Sequence, residues 1–409
     1  MFTSTTLSAA LAARLNPQDP QYNERLASIV AGVSAPSPFE FTVRFQRPPL
    51  RPEALFDLSL PQVGDSAIDG DDRNSPGNSE GIRFRRLECQ DQTCRYVRFL
   101  PEPDTVKQKH VAEVREQKFE SWDQLLQALQ RGEISAVPYV NPVDLPSLKD
   151  DPRFFVLPYA QPVSHLIQIH PRSKSLQNGQ LRRALLHGIH REKILTDVYL
   201  ARVSPGLGIT RLTASPFTMA SDAYDRLLAQ PAHDLVLAAA LAATSRREFG
   251  GNLPTLKIAR PSEVEIVRVV DAMIQEWKRI GIEVAVAESA DEPWDLAYRT
   301  MQFHEPLVEL WPFLLVDPAA TMAGLEAFPE RLRRQLLEIE RATDWATANG
   351  LLRRLQTDLL IDARWIPLWE VDEFLLVRKN ITGLPERLVH PYQGIERWFV
   401  QSWFPSETP

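Results

Sequence analysis

Residues Gln180–Leu195 read QLRRALLHGIHREKIL, and this segment indicates more about the fold than any other. Its apolar residues, Leu181 and Leu185 among them, recur mainly at i, i+3 and i+4 spacing, so the pattern predicts one amphipathic helix. An apolar, strand-like run, Val163–Ile169, precedes it, and a Pro/Gly segment, Ser204–Gly208, follows it. The order of strand, polar linker, helix and turn says more about the fold than the helix alone.

A second region, farther along the chain, repeats the alternation of strand and helix. The sequence predicts a strand at Leu256–Ala259, a long amphipathic helix at Glu263–Ile280 and another strand within Ile282–Glu288. Gly281 stands where a helix of this kind ends in a left-handed residue. Strand, helix and strand in this order form a βαβ unit, which implies a parallel sheet. The expected fold class is therefore α/β.

Length and composition limit the classes of protein that fit. With 409 residues the chain exceeds the roughly 250–300 residues at which one hydrophobic core stops growing, so at least two compact units are expected. The 46 basic and 53 acidic residues give a net charge of −7, and no basic run is interleaved with aromatics, so no nucleic-acid partner is expected. The longest apolar stretch, around Leu235–Ala243, is too short for the ~20 residues of a membrane-spanning segment.

Cys89 and Cys94 are the only cysteines in the sequence. Apolar and polar residues alternate on both sides of Gln90–Thr93, which predicts a hairpin with a four-residue loop. A disulfide across the two strands is possible if the cysteines pair directly. Two free thiols are the alternative, because the sequence shows no export signal that would indicate an oxidising compartment.

Several pieces follow one another along the chain in a distinctive order. They are the turn Arg131–Ile134 (RGEI) after a helix, the strand and helix that end in Gln180–Leu195, the βαβ unit, the WDL of Trp294–Leu296 and the IPL of Ile366–Leu368. In this order they resemble family 5 of the bacterial solute-binding proteins, the oligopeptide-, dipeptide- and nickel-binding components of ABC importers. The resemblance runs from the first helix to about residue 384.

The resemblance implies a two-lobed periplasmic-binding-protein architecture of type II with mixed sheets. The first lobe would comprise 1–165, the second 166–385, and the tail 386–409 would return to the first. Closure by hinge motion would pivot near His165–His170 and Trp369–Leu375. Family members begin with further strands and an export or lipoprotein signal that this sequence does not show. We therefore expect a divergent member with an N-terminally incomplete first lobe.

The function implied by the resemblance is non-catalytic. A monomer would capture a peptide-like or other small solute between its lobes and deliver it to an ABC permease for transmembrane transport, in the periplasm or cell envelope. No cofactor is implied. A cytoplasmic ligand-sensing domain related to the solute-binding proteins and, less favoured, an uncharacterised enzyme are the alternatives.

The resemblance also proposes residues that contact the ligand. In peptide-binding members the strand after the WDL motif delivers an acid to the ligand's ammonium group, a charge-assisted contact, and His304, or Glu305 with a small shift, takes that position here. Aromatic residues near predicted strand ends would line the pocket; the alternative is that they pack in the core. An arginine would bind a carboxylate of the ligand; the alternative is that it forms an ion pair on the surface. The proposed set is Tyr139, Trp294, Arg299, His304, Glu305 and Trp369.

The sequence carries no strong signature of catalysis or of metal binding. It contains no phosphate-binding loop, no G-x-G-x-x-G after a strand and no H-E-x-x-H. G-x-S-x-G occurs once, at Gly77–Gly81 (GNSEG), within a segment rich in Gly, Asp, Asn and Ser that is predicted as a loop and not as a strand-to-helix turn. His187 and His190 are three residues apart, but no third ligand stands at a matching interval, so no metal site is expected. His304 and Glu305 are neighbours, and adjacent residues of a strand point to opposite faces, which argues against a shared catalytic task unless the chain turns there. We expect no catalytic residue.

Overall fold

The computed structural model describes residues 4–47, 49–50, 52, 84–90, 92–98, 110–200, 208–289, 292–316 and 321–401. These residues fall into two compact units, each built from separate stretches of the chain. Unit 1 holds the described residues of Met1–Asp72, Val163–Ala201 and Thr210–Val371, and unit 2 those of Arg73–Pro162, Arg202–Ile209 and Asp372–Pro409. The predicted turn at 204–207 lies outside the described residues.

Helices and strands alternate along both units. The helices are α1 (Ser4–Leu15), α2 (Glu24–Ile29), α3 (Trp122–Arg131), α4 (Leu145–Asp150), α5 (Gly179–His187), α6 (Arg191–Ile194), α7 (Leu235–Glu248), α8 (Val264–Arg279), α9 (Pro306–Leu315), α10 (Glu330–Glu340) and α11 (Trp345–Ile361). The strands are β1 (Val30–Ser37), β2 (Glu40–Phe45), β3 (Phe84–Gln90), β4 (Thr93–Arg98), β5 (Glu113–Gln117), β6 (Ala136–Val137), β7 (Phe154–Pro158), β8 (Val163–Ile169), β9 (Thr210–Leu212), β10 (Leu256–Ala259), β11 (Val284–Val286), β12 (Leu296–Met301), β13 (Trp365–Val371), β14 (Phe374–Arg378), β15 (Ile381–Thr382) and β16 (Phe399–Val400).

The main sheet of unit 1 has the strand order β11-β10-β12-β8-β13-β9. Strand β10 is parallel to β11 and to β12, as the βαβ pattern predicts, whereas β8 is antiparallel to both β12 and β13. Gly281 has a φ of +76°, so the residue that closes α8 is in the left-handed conformation that glycine adopts readily. The predicted α/β class with mixed sheets is confirmed.

Apolar side chains cover both faces of this sheet. On one face, residues of α5, α7 and α8 pack over Ile167, Ile258 and Ile366, and buried Trp277 donates its indole N–H to the carbonyl of Leu185 at 2.9 Å. On the other face, residues of α9, α10 and α11 pack over Leu166 and other strand residues. The burial of strand β8 on both faces explains why its sequence is a continuous apolar run rather than an alternating one.

The region Gln180–Leu195 is not the single helix that its periodicity predicts. Helix α5 ends at His187, α6 begins at Arg191, and a π-helical turn, Leu195–Tyr199, follows. Between them the backbone N–H of His190 donates to the carboxylate of Glu276 in α8, and the His190 ring accepts the N–H of Lys193 at the start of α6. A side chain and a neighbouring helix therefore take over hydrogen bonds that a continuous helix would make.

The first two helices and the first hairpin, β1–β2, belong to unit 1. The buried guanidinium of Arg25 holds them to α9 and α10: it lies 2.7 Å from the Glu340 carboxylate and donates to the carbonyls of Leu307 and Val308. It also stacks over Trp311, 5.1 Å from the ring centroid. This grouping is not the same as the predicted lobe boundaries 1–165, 166–385 and 386–409, which stay a prediction.

Unit 2 contains three small antiparallel sheets, with the orders β3-β4-β5, β6-β14-β7 and β15-β16. Helix α3 forms as predicted: the Ser121 hydroxyl accepts the N–H of Gln124, and Gly132 follows the helix with a φ of +85°. The aliphatic residues of α3 pack against Val137 and Phe374 in the core of this unit.

The two cysteines pair directly across β3 and β4, with 4.1 Å between their Cα atoms, and a disulfide joins them. The strands extend to Gln90 and Thr93, which also pair with each other. The prediction of a four-residue loop was therefore wrong, because two of those four residues belong to the ladder.

Candidate functional site

The ends of four strands meet along one edge of the main sheet in unit 1. Strands β10, β11, β12 and β13 run in the same direction and end there at Ala259, Val286, Met301 and Val371. We call it the carboxyl edge. Ligands of open α/β sheets bind outside the carboxyl ends of the strands, so this edge is where functional side chains of unit 1 are expected.

On one face of the sheet near this edge lies a buried aromatic cluster. The Nδ1 atom of His165 is 2.6 Å from the Tyr298 hydroxyl oxygen, and the rings of Tyr199 and Trp369 lie 5.4 and 6.0 Å from the His165 ring. Burial lowers the pKa of His165 to about 3, so this histidine is neutral at physiological pH. Trp369 has no exposed surface, so it packs in the core here, and its predicted ligand contact stays a prediction.

On the opposite face, Glu370 is fully buried beside Arg211. A carboxylate oxygen lies 2.8 Å from the Arg211 Nε atom, and the other accepts the backbone N–H of Met219 at 2.9 Å. The buried hydroxyls of Ser164 and Thr218 have no hydrogen-bond partner among the residues that the structure describes. This acid is therefore tied into unit 1 by charge and by backbone.

Arg260 follows the last residue of β10 directly, at the carboxyl edge. Its Nη1 atom lies 3.3 Å from a carboxylate oxygen of Asp271, and its side chain is 21% exposed. Helix α8 begins at Val264 on the same edge, and a helix N-terminus attracts negative charge. Arg260 is not among the residues predicted from the sequence. Its position directly after the first strand of the βαβ unit is the sequence feature that could have identified it.

His304 and Glu305 lie where the chain turns from β12 into α9, not within a strand. The backbone N–H of Glu305 donates to the Glu309 carboxylate at 2.8 Å, and burial raises the pKa of Glu309. His304 is exposed. The chain turns at these two residues, because β12 ends at Met301 and Pro306 begins a helix, so the argument from opposite faces of a strand does not apply to them. Their contact with a ligand stays a prediction.

Arg299, within β12, stacks over Trp294, which precedes the strand. The guanidinium carbon of Arg299 is 5.4 Å from the Trp294 ring centroid, and its Nε atom donates to Gln168 at 3.1 Å. Burial lowers the pKa of Arg299. Because Trp294 precedes β12 and His304 follows it, the six residues of the strand, roughly 20 Å long, separate them.

Unit 2 gathers three tyrosines and an acid at one edge of the β6-β14-β7 sheet. The ring centroids of Tyr139 and Tyr159 are 5.8 Å apart, and the Tyr159 hydroxyl donates to the Pro138 carbonyl at 2.7 Å. The Tyr392 hydroxyl donates to Glu116 at 2.6 Å. Tyr139 is 54% exposed. We call the group of Tyr139, Tyr159, Tyr392 and Glu373 the tyrosine edge.

The described residues hold neither a cluster of metal ligands nor a membrane-spanning helix. Within those ranges no three His, Cys, Asp or Glu side chains are grouped so that they could hold a metal ion. No helix in the same part of the chain has the length and the apolar content needed to cross a membrane.

Comparison with known proteins places these features in a family. A model described as bacterial extracellular solute-binding proteins, family 5 middle, matches residues 2–306. The dipeptide-binding protein of Escherichia coli K12 is 22% identical over 160 residues, which are 39% of this chain and 29% of that protein.

Solved structures share the fold over almost the whole chain. The periplasmic binding protein DppA from Helicobacter pylori, in complex with the peptide STSA, has a TM-score of 0.76 at 16% identity, covering 98% of this chain and 82% of its own. AppA from Bacillus subtilis, in complex with a nonapeptide, has a TM-score of 0.76 at 13% identity, with 98% and 84% coverage. NikZ from Campylobacter jejuni, in complex with Ni(L-His), has a TM-score of 0.72 at 14% identity, with 97% and 84% coverage.

Proposed function

We propose that this chain, which belongs to the family 5 bacterial extracellular solute-binding proteins, captures a small solute and presents it to an ABC permease for import. The observation that carries the proposal is the match of the family model over residues 2–306. The work of such a protein is binding rather than bond making. We place it in the periplasm or cell envelope, acting as a monomer.

The class of solute that the chain binds does not follow from the family alone. Solved proteins of the same fold hold a tetrapeptide, a nonapeptide and a nickel–histidine complex, so the fold accommodates ligands of different size and charge. We propose a peptide-like or other small solute for this chain. Side chains placed on the common fold bind the ligand, and the fold by itself does not determine ligand specificity.

Among the residues at strand ends, we propose that Arg260 pairs with a carboxylate of the solute. Its guanidinium, paired on one side with Asp271, and the N-terminus of α8 are two groups of this edge that attract a carboxylate. His304 and Glu305 at the same edge of unit 1, and Tyr139 in unit 2, are proposed as further contacts. Trp294, which precedes β12, and Arg299, within that strand, are proposed as contacts as well.

The proposal is tested by thermal unfolding with a panel of solutes at millimolar concentration. The panel contains di- and tripeptides, nickel with histidine, and acidic sugar conjugates. A solute present at 100 times its dissociation constant adds about 2.7 kcal/mol to the free energy of unfolding, which raises the melting temperature measurably. No stabilisation by any member would contradict capture of these solutes.

A pair of variants locates the site. Arg260→Gln is expected to weaken binding of a carboxylate-bearing solute about tenfold or more, because a charge-assisted contact is lost. Arg268→Gln changes a partly exposed arginine of α8 and serves as the control, with unchanged affinity expected. Equal affinities of the two variants would remove Arg260 from the site.

A further inference from the structure

Three side chains converge at the tyrosine edge because of the strand directions in unit 2. Strand β14 is antiparallel to both β6 and β7, so its amino end lies beside their carboxyl ends. Glu373 immediately precedes β14, Tyr139 follows β6 by two residues, and Tyr159 follows β7 directly. The N–H of Tyr159 donates to the Glu373 carbonyl at 3.0 Å, and that of Val140 to the Phe374 carbonyl at 3.2 Å. The backbone therefore fixes this grouping.

The carboxylate of Glu373 has no cation beside it among the described residues. It makes neither an ion pair nor a side-chain hydrogen bond there, although other acids of the unit, such as Glu133 and Asp151, pair with arginines. Lys149 is nearby, but its ammonium nitrogen lies over the Phe374 ring, 4.7 Å from the centroid. Glu373 is only partly exposed, so its negative charge lacks much of its hydration.

The groups that do face Glu373 are tyrosines. Glu373 lies opposite Tyr159 across the pair of strands β14 and β7, where the Tyr159 N–H donates to the Glu373 carbonyl, and the Tyr159 ring is 5.8 Å from the Tyr139 ring. Burial raises the pKa of both tyrosines, and the charge of Glu373 raises it further. Tyr139 and Tyr392 also raise the pKa of Tyr159, so the four side chains form one electrostatically coupled group. A partly buried acid flanked by aromatic rings offers a cation both a counter-charge and ring faces.

We infer that the tyrosine edge is a binding site for an ammonium group, with Glu373 as counter-ion and Tyr139 and Tyr159 as the flanking rings. The inference rests on the proposed function, because it names the chemistry of the solute: a molecule that carries a positive charge. The 54% exposure of Tyr139 leaves the approach to the ring open to solvent. Neither neutral nor purely anionic solutes complete this site.

The pH dependence of binding follows from the same group. Burial raises the pKa of Glu373 to about 7, and a bound cation favours the ionised form. A permanently charged ligand should therefore bind more tightly as the pH rises from 6 to 8. The tyrosines that face Glu373 stay protonated over this range, since burial and neighbouring charge raise their pKa values above the ordinary one.

The test uses two probes that have the same shape but differ in charge: choline and 3,3-dimethylbutan-1-ol. Isothermal titration of the full chain at pH 8 is expected to give choline at least about tenfold tighter binding than the alcohol. Glu373→Gln, which keeps the shape of the side chain, should remove that difference. Glu133→Gln, an exposed acid of the same unit, is the matched control and should preserve it.

A second pair of variants separates the ring from the hydroxyl. Tyr139→Phe keeps the ring and should bind choline within about twofold of wild type, whereas Tyr139→Leu should lose about three- to tenfold. Equal binding of choline and the alcohol by the wild type, or a Glu373→Gln variant that keeps its preference for choline, would overturn the inference. If panel solutes stabilise the protein while choline does not bind, only the inference fails. If neither any panel solute nor choline binds, the proposed function fails with it.

Discussion

Glu370 and Glu373 are three residues apart in the sequence, yet they belong to different units and have opposite surroundings. Glu370 is fully buried, faces Arg211 at 2.8 Å and accepts a backbone N–H. Glu373 is partly exposed and faces tyrosine rings without a basic partner among the described residues. The first acid is committed to holding unit 1 together. The second is available to a ligand, so the partner of an acid rather than its residue type sets its role.

The largest change in the free energy of unfolding is expected when Arg211, the partner of buried Glu370, is removed. Arg211→Met keeps most of the side-chain volume but leaves a buried carboxylate, which should destabilise the protein by about 3–5 kcal/mol. Urea unfolding measures this. Arg334→Met, at an exposed position of α10, should change stability by less than about 0.5 kcal/mol. Similar losses in the two variants would break the distinction between Glu370 and a surface acid.

A smaller effect is expected from the buried hydrogen bond on the other face of the sheet. Tyr298→Phe removes the partner of His165 Nδ1, and an unsatisfied buried group costs about 1–3 kcal/mol. Tyr392→Phe removes a hydroxyl that bonds to Glu116 on the surface of unit 2, and should cost clearly less. The two free energies of unfolding, measured at pH 7, decide the comparison. A larger loss for Tyr392→Phe would reverse the assigned roles.

Removing the charge of Glu373 should have the opposite effect and stabilise the protein. Since burial raises the folded pKa of Glu373 to about 7, its stabilising contribution is complete below the unfolded pKa and is lost as the pH rises through 7. Glu373→Gln should therefore stabilise the protein at pH 8 by roughly 1–2 kcal/mol and have little effect at pH 4.5. Thermal unfolding at both pH values checks the sign. A variant less stable than wild type at pH 8 would mean that Glu373 has a favourable partner.

The smallest effect concerns a cap in unit 2. Ser121→Ala removes the side-chain acceptor for the N–H of Gln124 at the start of α3 and should cost about 1 kcal/mol. Ser147→Ala, within the short helix α4, removes a hydroxyl that is not a cap and should cost less. Urea midpoints of the two variants give the difference. Equal midpoints would show that the cap does not stabilise α3.

Local patterns were enough for the elements on which the fold rests. Strands β8 and β10 have the predicted ends, and both ends of α8, before Gly281, lie within one residue of the prediction. These elements were predictable because hydrophobic periodicity and a helix-ending glycine depend only on residues that are neighbours in the sequence. The break at Gly188–His190 was not predictable in this way. It depends on Glu276 of another helix, which no local window contains.

The candidate site was harder to predict for the same reason. Tyr139 and Glu373 are 234 positions apart in the sequence and meet only because β14 lies between β6 and β7. Trp369 has the residue type of a ligand contact, but the helices packed on the sheet bury it completely. Residue type and position in a motif indicate candidates, but strand order decides which of them meet, and helix packing decides which of them are exposed.

The ionisation of Glu373 itself decides whether this acid is available to a ligand. The carboxyl carbon of ¹³C-labelled glutamate is followed by NMR from pH 4.5 to 9, with Glu373→Gln to assign the signal. We expect this carboxyl to titrate near pH 7 in the free protein and at lower pH when choline is bound. An ordinary glutamate pKa that choline does not change would contradict this expectation.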